Sequence, residues 1–502
     1  MSKFLYGAAV QGIQEFIFQT NKLQEIVGAS ELVEQVCTSK FAEMLGKNYE
    51  ELVDDPHAIV NAAGNIKYIF DNYDTCQEVV RKFPMKIIEH APGITISQAV
   101  EKFESDKEFD QAVLKLETSL RTQRNKPMRS STIGLMGIER SRQTGLPVMA
   151  KSLGKKNEHY DAATYKKLYD DEKRRNTTTE LCRNAYGKDI RAEQIPFDIK
   201  DITGKNDWIA IIHADGNGLG QVVQKIGTEK SKFRAFSQDL DAATKQAARE
   251  AARETFESLG IKLEKGKRYP IRPIVLSGDD HTLICRADLA IRYVENFIAL
   301  FEKYTEAELG DKLNGVFADG SRKLSACAGI VFIKSSYPFY YGYQLAEELC
   351  GKAKKDTKEK FGFDKGNLPP SCIMFHKVQD SFVTNYDDIV KRELTPHKGY
   401  SLKFGPYYVN NVASDRWTIG KLRKKSDALS VESMAGVKTG LRRWLSAVAV
   451  DPENAAQRMA RLKSVSKKDE YLKAVYEDWT DVKRFPIYDI LAIDTINTQK
   501  TR

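Results

Sequence analysis

Apolar residues in the first part of the chain follow two different spacings. An uninterrupted apolar run at 4–10 is typical of a buried strand, whereas the apolar positions between Ile13 and Leu45 recur at helical spacing. Gly28-Ala29-Ser30 interrupts the helical pattern, and Ser30, followed by Glu34, is suited to cap a restarted helix. The pattern therefore predicts a strand followed by a broken helix.

A hairpin, a helix and a strand are predicted next. Short apolar runs on either side of Ala63-Gly64 indicate two strands joined by a tight turn. A helical pattern covers about 74–90, and a strand pattern covers about 93–99. With the first strand and helix, these elements give the order β-α-β-β-α-β, which is the split βαβ, or ferredoxin-like, arrangement.

The same order of elements is predicted a second time, after residue 205. Its members are a strand at 207–213, a helix at about 229–258, a hairpin with its tip at 277–280, a helix at about 287–305 and a strand at about 323–334. A further helix and strand follow, at about 337–360 and 371–376. Two copies of one element order in a single chain indicate an internal duplication.

Four regions are predicted from these patterns and from the composition between them. They are a first ferredoxin-like domain at 1–125, an irregular insertion at 126–205, a second ferredoxin-like domain at 206–384 and a mostly helical domain at 385–502. Pro, Ser, Gly and charged residues dominate the insertion. The predicted fold class is α+β.

Composition narrows the functional classes only slightly. The 502 residues include 78 Lys and Arg against 69 Asp and Glu, and the net charge of +9 permits an anionic partner such as nucleotide or RNA without requiring one. The seven cysteines form no Cys-x-x-Cys pair, which argues against a disulfide framework or a cysteine zinc site and fits a reducing compartment. The sequence contains no secretion signal and no apolar run as long as a membrane span, so a cytoplasmic protein is expected.

Two adjacent carboxylates stand at the tip of the second hairpin, in Ser277-Gly278-Asp279-Asp280. Their charges repel, and a fold does not require them there. A divalent cation makes such a pair tolerable. A solvated hairpin tip is the alternative for this stretch taken alone.

A third carboxylate follows the strand at 207–213, in Asp215-Gly216-Asn217-Gly218. Glycines at such a turn let backbone N–H groups approach a phosphate, and Asp215 is placed to bind Mg²⁺. In a split βαβ sheet this strand lies beside the hairpin, which would bring Asp215, Asp279 and Asp280 to one point. Lys354, on the helix at 337–360, could reach a triphosphate as a point charge, or it could simply face solvent.

The first copy carries no acid at the matching points. Its strand ends in Val10-Gln11-Gly12, and its hairpin tip reads Ala63-Gly64-Asn65-Ile66. This copy is either purely structural or holds a second nucleotide through polar contacts such as Ser30 or Asn65. A single catalytic centre is therefore expected, in the second copy.

These motifs together resemble the large polymerase/cyclase-palm subunit of type III CRISPR effector complexes. The resemblance rests on GIQEFIF and VGAS near the N-terminus, DGNGLG at 215–220, SGDD at 277–280 and the stretch from the SACAGI strand to GKAKK. It implies two palm domains, of which the second uses ATP and two Mg²⁺ or Mn²⁺ ions to make cyclic oligoadenylate. The implied catalytic and metal-binding residues are Asp215, Asp279 and Asp280. The candidate nucleotide contacts, taken from the residues themselves, are Gly216, Asn217, Gly218, Ser277, Gly278, Lys354 and Ser30.

The sequence departs from that family in three ways. No histidine-aspartate nuclease domain precedes the first palm, Cys182 stands alone where the family often has a zinc element, and Ser277 replaces a glycine of GGDD. No nuclease activity and no zinc are therefore expected. The candidate partners are ATP, RNA, subunits of a CRISPR complex and a second copy of the chain.

Three functions remain open from the sequence. The leading one is a nucleotidyltransferase of antiviral defence that converts ATP into a cyclic oligonucleotide. The second is a scaffold subunit that binds RNA and partner subunits with little or no cyclase activity. The third is a diguanylate-cyclase-like enzyme that uses GTP, since the residues that would read the base are not evident.

Overall fold

The computed structural model describes most of the chain. The described residues are 2–62, 64–105, 108–126, 136–151, 159–169, 179–187, 190–203, 207–226, 230–261, 266–379, 385–397, 399–412, 416–476 and 483–498. Ala63 of the first predicted tip and parts of the predicted insertion, including 127–135 and 170–178, lie outside them.

Fourteen strands and nineteen α-helices are formed by the described residues. The strands are β1 (Lys3–Gln11), β2 (Ala58–Ala62), β3 (Asn65–Phe70), β4 (Thr95–Phe103), β5 (Val148–Lys151), β6 (His159–Asp161), β7 (Trp208–Asn217), β8 (Ile271–Ser277), β9 (Asp280–Arg286), β10 (Ser325–Lys334), β11 (Cys372–Lys377), β12 (Tyr400–Ser401), β13 (Tyr407–Tyr408) and β14 (Lys483–Arg484). The helices are α1 (Ile13–Phe18), α2 (Leu23–Cys37), α3 (Ser39–Met44), α4 (Tyr49–Asp54), α5 (Tyr73–His90), α6 (Phe109–Arg124), α7 (Ala162–Leu168), α8 (Thr179–Tyr186), α9 (Ile199–Thr203), α10 (Leu219–Ile226), α11 (Lys230–Ser258), α12 (Ala290–Leu309), α13 (Phe339–Lys360), α14 (Tyr386–Arg392), α15 (Ile419–Leu429), α16 (Ala435–Val448), α17 (Pro452–Ser466), α18 (Asp469–Val475) and α19 (Ile487–Thr498).

The first sheet has four strands in the order β2-β3-β1-β4, and every neighbouring pair is antiparallel. This is the strand order that a βαββαβ chain adopts when its first strand is inserted between the third and the fourth. The ferredoxin-like prediction for this part of the chain is confirmed.

The second sheet repeats that order and extends it. Its strands β10-β7-β9-β8 are again antiparallel neighbours, and β11 then pairs in parallel with β10 and carries the short β13 at its outer edge. The prediction of a second ferredoxin-like unit is confirmed. Since β13 comes from residues 407–408, this sheet draws a strand from beyond residue 384, and the four domain boundaries stay a prediction.

The expected break at Gly28-Ala29-Ser30 is wrong. Helix α2 runs through these residues, and the helical pattern is interrupted earlier, at 19–22. Gly28 is required there because a Cβ atom would lie 1.8 Å from the backbone oxygen of Lys167, which approaches the helix closely. Ser30 caps no helix, since its hydroxyl donates instead to the backbone oxygen of Ile274 on β8.

Aromatic packing joins the two halves of the molecule. The rings of Phe18, at the end of α1, and Tyr343, on α13, stack with their centroids 4.1 Å apart. The backbone N–H of Phe339 donates to Asn21 Oδ1 at 2.9 Å, just before α2 begins. Because Phe18 and Tyr343 are both buried, the first sheet's helices and the second sheet share one apolar core.

Helices α15 to α19 form the C-terminal part, in agreement with the helical prediction. Asp494 on α19 is fully buried and bonds Lys438 Nζ at 2.6 Å, and Arg442 lies 3.4 Å away. None of the helices within the described ranges is both long and apolar enough to cross a membrane.

Candidate active site

Asp215 lies near the end of β7, which is an interior strand of the second sheet. The strand continues to Asn217, four residues further than the predicted end at 213. Asp215 is paired with Cys327 of the neighbouring strand β10. The fully buried run Trp208–Ala214 fixes the strand between two neighbours. The Asp215 side chain is 39% exposed, so it stands where the buried strand reaches the surface.

The acidic tip lies on the strand next to Asp215. Strands β8 and β9 form a tight hairpin whose last pair is Ser277 with Asp280, and Gly278 in the turn has a φ of +61°. A side chain at that φ is strained, which explains the glycine. Since β9 pairs with β7 up to Ala214, the tip projects beside Asp215.

Asp279 is packed against the strand that carries Asp215. A Cβ atom at Gly216 would lie 2.9 Å from both Cβ and Oδ2 of Asp279, so only glycine admits the Asp279 side chain here. Burial and, after it, the charge of Asp215, with which it shares a hydrogen bond, raise the pKa of Asp279 to about 7. The Asp279 carboxyl group therefore keeps its proton up to nearly neutral pH.

Asp280 faces inward beside a histidine. Its Oδ1 lies 3.5 Å from His213 Nδ1, and Thr282 Oγ1 is 3.4 Å away. Burial and the charge of Asp215 raise the pKa of Asp280 to about 7. Burial lowers the pKa of His213, so the imidazole is neutral at pH 7 and does not neutralise the carboxylates.

Lys354 supplies the positive charge at this site. Its Nζ forms an ion pair with Asp215 and donates to the backbone oxygen of Gly216 at 2.8 Å. Although burial opposes it, the negative charge of Asp215 raises the pKa of Lys354. Two other lysines of α13 have different partners, since Lys352 pairs with Asp387 at 2.7 Å and Lys355 with Glu359 at 3.8 Å.

Glu347 is a charged neighbour of the site that the sequence motifs do not indicate. It lies seven residues before Lys354 on α13, which is two helical turns and hence the same face. Its charge adds to the rise in the pKa of Asp280 and opposes the fall for His213. The i, i+7 spacing from Lys354 is the signal that could have identified it.

Two predicted nucleotide contacts use their side chains elsewhere. Asn217 is 1% exposed, and its Nδ2 donates to Ser325 Oγ at 3.1 Å and Cys327 Sγ at 3.3 Å. The Ser30 hydroxyl is bonded to Ile274, as described above. Gly218 turns the chain into α10 with a φ of +78°, and Ser277 is buried beneath the tip. The structure thus brings together Asp215, Gly216, Gly278, Asp279, Asp280 and Lys354.

The donor set suits a hard divalent cation, although it is not arranged as a finished metal site. Three carboxylates lie around one point, and oxygen ligands are what Mg²⁺ and Mn²⁺ prefer. The negative charge of Asp215 contributes to the raised pKa of Asp279, and a cation between the two carboxylates would relieve that repulsion. In the described part of the chain, no three His, Cys, Asp or Glu side chains already have metal-ligand geometry.

Comparisons with known proteins agree with this architecture. Residues 208–362 match the family model of the Cas10/Cmr2 second palm domain. No curated protein matches the chain in sequence.

Several solved structures are similar to the whole chain. Csm1 of T. onnurineus has 13% sequence identity and a TM-score of 0.55, over 100% of this chain and 70% of that one. A Csm1–Csm4 cassette in complex with one ATP has 13% identity and a TM-score of 0.54, and one in complex with cA4 has 13% and 0.53, with the same coverage. These likenesses confirm the resemblance expected from the motifs. Residues 208–362 are similar to the second palm domain of the Cas10/Cmr2 family, and the chain as a whole has the fold of Csm1.

Proposed function

We propose that the chain is a metal-dependent nucleotidyltransferase that converts ATP into cyclic oligoadenylate at its second palm, as part of CRISPR-type antiviral defence. The observation that carries the proposal is the convergence of Asp215, Asp279 and Asp280 beside Lys354, within residues that match a palm family. ATP and cA4 are bound in solved cassettes of similar fold, which favours ATP over GTP as the substrate.

Asp215, Asp279 and Asp280 would hold two Mg²⁺ or Mn²⁺ ions. When bound, such ions lower the pKa of an attacking ribose hydroxyl and stabilise the leaving pyrophosphate. The three carboxylates lie near the surface at one edge of the sheet, so a triphosphate can reach them from solvent. No zinc is part of the proposal.

Other residues of the chain would orient the nucleotide. Lys354 already lies against Asp215 and the backbone of Gly216, and it would exchange that ion pair for a phosphate oxygen. Gly216 leaves the backbone open beside Asp279, which allows close approach of a phosphate. The main chain at Gly218 and at the Ser277-Gly278 turn would complete the contacts, whereas the side chains of Asn217 and Ser30 would first have to leave their present bonds.

The test is product formation from labelled nucleotide. Purified full-length protein would be incubated with radiolabelled ATP or GTP and Mn²⁺, with and without RNA, and the products separated and identified by mass spectrometry. We expect cyclic or linear oligoadenylate from ATP, and its loss in Asp279→Ala/Asp280→Ala. The matched control is Asp71→Ala/Asp74→Ala, at two exposed carboxylates of the first palm, which should keep full activity. Failure to form product from either nucleotide under any condition contradicts the proposal.

A scaffold role in a larger complex is the second candidate. It is favoured by coverage of the whole chain in Csm1–Csm4 cassettes. The charge distribution supports RNA as one component, since residues 416–476 contain 14 Lys and Arg against six Asp and Glu.

Co-purification separates the two candidates. Expression with candidate partner subunits and a guide RNA, followed by size-exclusion chromatography, would give a stoichiometric complex for a scaffold. A free monomer or homodimer that makes product without RNA supports an enzyme acting alone. A complex that makes no product supports the scaffold role and contradicts the enzyme.

A further inference from the structure

Two side chains of helix α11 form hydrogen bonds with the backbone of the acidic tip. The N–H of Gly278 donates to Asp241 Oδ1 at 3.3 Å, and the backbone oxygen of Gly278 accepts from Thr244 Oγ1 at 2.6 Å. Asp241 and Thr244 are three residues apart on one helix, so they share a face. Both main-chain polar groups of Gly278, the first residue of the two-residue turn, are thus held by a single helical turn.

The two side chains of this clamp are themselves fixed. Thr244 is fully buried, and its hydroxyl also lies 2.9 Å from the backbone oxygen of Leu240, one turn earlier. Asp241 is oriented by Lys245, whose Nζ is 2.5 Å from the other carboxylate oxygen. Among the described contacts, neither Asp241 nor Thr244 bonds the carboxylate of Asp279 or Asp280. Their effect on the position of these carboxylates therefore passes through Gly278.

The tip needs such support because of its own charges. Beyond the last pair, Ser277 with Asp280, no ladder bond holds the turn, and Gly278 is the most permissive residue the backbone can contain. Asp279 and Asp280 repel each other and Asp215, which would push an unsupported tip away from β7. A displacement of about 1 Å at a catalytic group can lower the rate about 100-fold.

We propose that Asp241 and Thr244 are positioning residues that hold the tip in the geometry the reaction requires. The proposal rests on the function proposed above, and it concerns residues that no motif of the chain contains. Loss of either bond should lower kcat about tenfold or more while the KM for ATP changes less than about threefold, since Lys354 and Gly216 are untouched.

The decisive variants differ by single atoms at Thr244. Thr244→Val removes the hydroxyl and keeps the shape, whereas Thr244→Ser keeps the hydroxyl. The control is Thr255→Val on the same helix, where a buried hydroxyl bonds Ala251 O at 2.6 Å, far along α11 from the tip. Asp241→Ala and Asp241→Asn form the second pair, because Asn retains an acceptor for the Gly278 N–H.

Two measurements are made on each variant. Amide hydrogen exchange of the peptide that spans 276–282 reports the tip without any reaction, and steady-state kinetics report kcat and KM. We expect exchange at the tip to quicken about tenfold in Thr244→Val and Asp241→Ala, with near-normal values in Thr244→Ser and Thr255→Val. The proposal is overturned if Thr244→Val exchanges like the wild type, if Thr255→Val changes the tip equally, or if Thr244→Ser fails to restore it.

The positioning role can be tested even if the chain makes no product. Amide hydrogen exchange then reports on the bonds to Gly278 alone, and the absence of product contradicts only the proposed function. Normal kcat with quickened exchange in Thr244→Val means that the clamp exists but does not serve the reaction, which also overturns the proposal.

Discussion

Aligning the two hairpins by their last ladder pairs compares the palms residue by residue. Ala62 with Asn65 closes the first hairpin, and Ser277 with Asp280 closes the second. Asn65 therefore corresponds to Asp280, and Gly64 to Asp279. Both turns contain a glycine with positive φ, although it stands second in the first turn and first in the second.

The strand-to-helix turns give the same alignment independently. Gly12 precedes α1 with a φ of +67°, and Gly218 precedes α10 with a φ of +78°. Counting back three residues from each places Ala9 opposite Asp215. The backbone of the second palm thus has a counterpart in the first, and the three carboxylates are replaced by Ala9, Gly64 and Asn65 in the first copy.

The space beside the first tip is filled by apolar side chains, whereas the space beside the second holds a carboxylate. A Cβ atom on Gly64 would lie 2.5 Å from Ile13 Cδ1 and 3.4 Å from Val10 Cβ, so apolar side chains cover the first tip. In the second palm the residue matching Val10 is Gly216, and the space belongs to the Asp279 carboxylate. The two palms share this backbone arrangement, and they differ in whether apolar or charged side chains occupy the space beside the hairpin tip.

The largest effect on this comparison is expected from Lys354, on a helix that lies beyond the duplicated order of elements. Lys354→Met leaves Asp215 without its cation and the nucleotide without a phosphate contact, so kcat/KM should fall about 100-fold. Kinetics with ATP and Mn²⁺ measure this. Lys355→Met is the control, since Lys355 is exposed and pairs only with Glu359 among its described contacts. Equal activity of the two variants would remove Lys354 from the site.

A smaller effect is expected when Gly216 of the second palm is given a side chain, as the matching residue of the first palm has. Gly216→Ala adds the Cβ that Val10 has at the matching position, and it should displace Asp279 by several tenths of an ångström. We expect activity to fall about tenfold with little change in thermal stability. Gly220→Ala, where a Cβ meets nothing within 4 Å, should leave activity unchanged. If Gly216→Ala is as active as Gly220→Ala, the close packing of Asp279 is not required.

The smallest effect concerns β11, which the second sheet has in addition to the four duplicated strands. His376 on this strand is 2% exposed, and burial lowers its pKa from 6.5 to about 4. The unfolded chain therefore takes up a proton at higher pH than the folded one, and the free energy of unfolding should fall as pH drops from about 6.5 towards 4.

Replacing that histidine tests whether β11 unfolds with the rest of the sheet. His376→Gln should flatten the pH dependence of denaturant unfolding by on the order of 2–3 kcal/mol over this range. His57→Gln, at a half-buried histidine of the first palm, is the control. An unchanged slope in His376→Gln would show that β11 opens before the main unfolding transition.

Local patterns were sufficient for much of this architecture, and long-range packing accounts for the rest. Short apolar runs on either side of glycine turns predicted both hairpins, and adjacency in a split βαβ sheet predicted that Asp215 meets the tip. The use of Ser30 was not predictable, because its acceptor Ile274 is 244 residues away at an irregular point of β8. Gly28 was expected to break the helix, but it is a glycine because the backbone of Lys167 packs against it. That contact was not predictable from local pattern, since Lys167 comes from the insertion.

Helix α11 has a mechanical consequence for the whole molecule. Ten residues before Thr244, Arg234 bonds the backbone oxygens of Val53 and Asp55 in the first palm, the latter at 2.6 Å. The intervening helix spans about 15 Å and is stiff over that distance. A shift of the first palm must therefore either break the Arg234 bonds or push α11 along its length. In the second case the displacement reaches Gly278, so the position of the first palm is mechanically coupled to the carboxylates of the second.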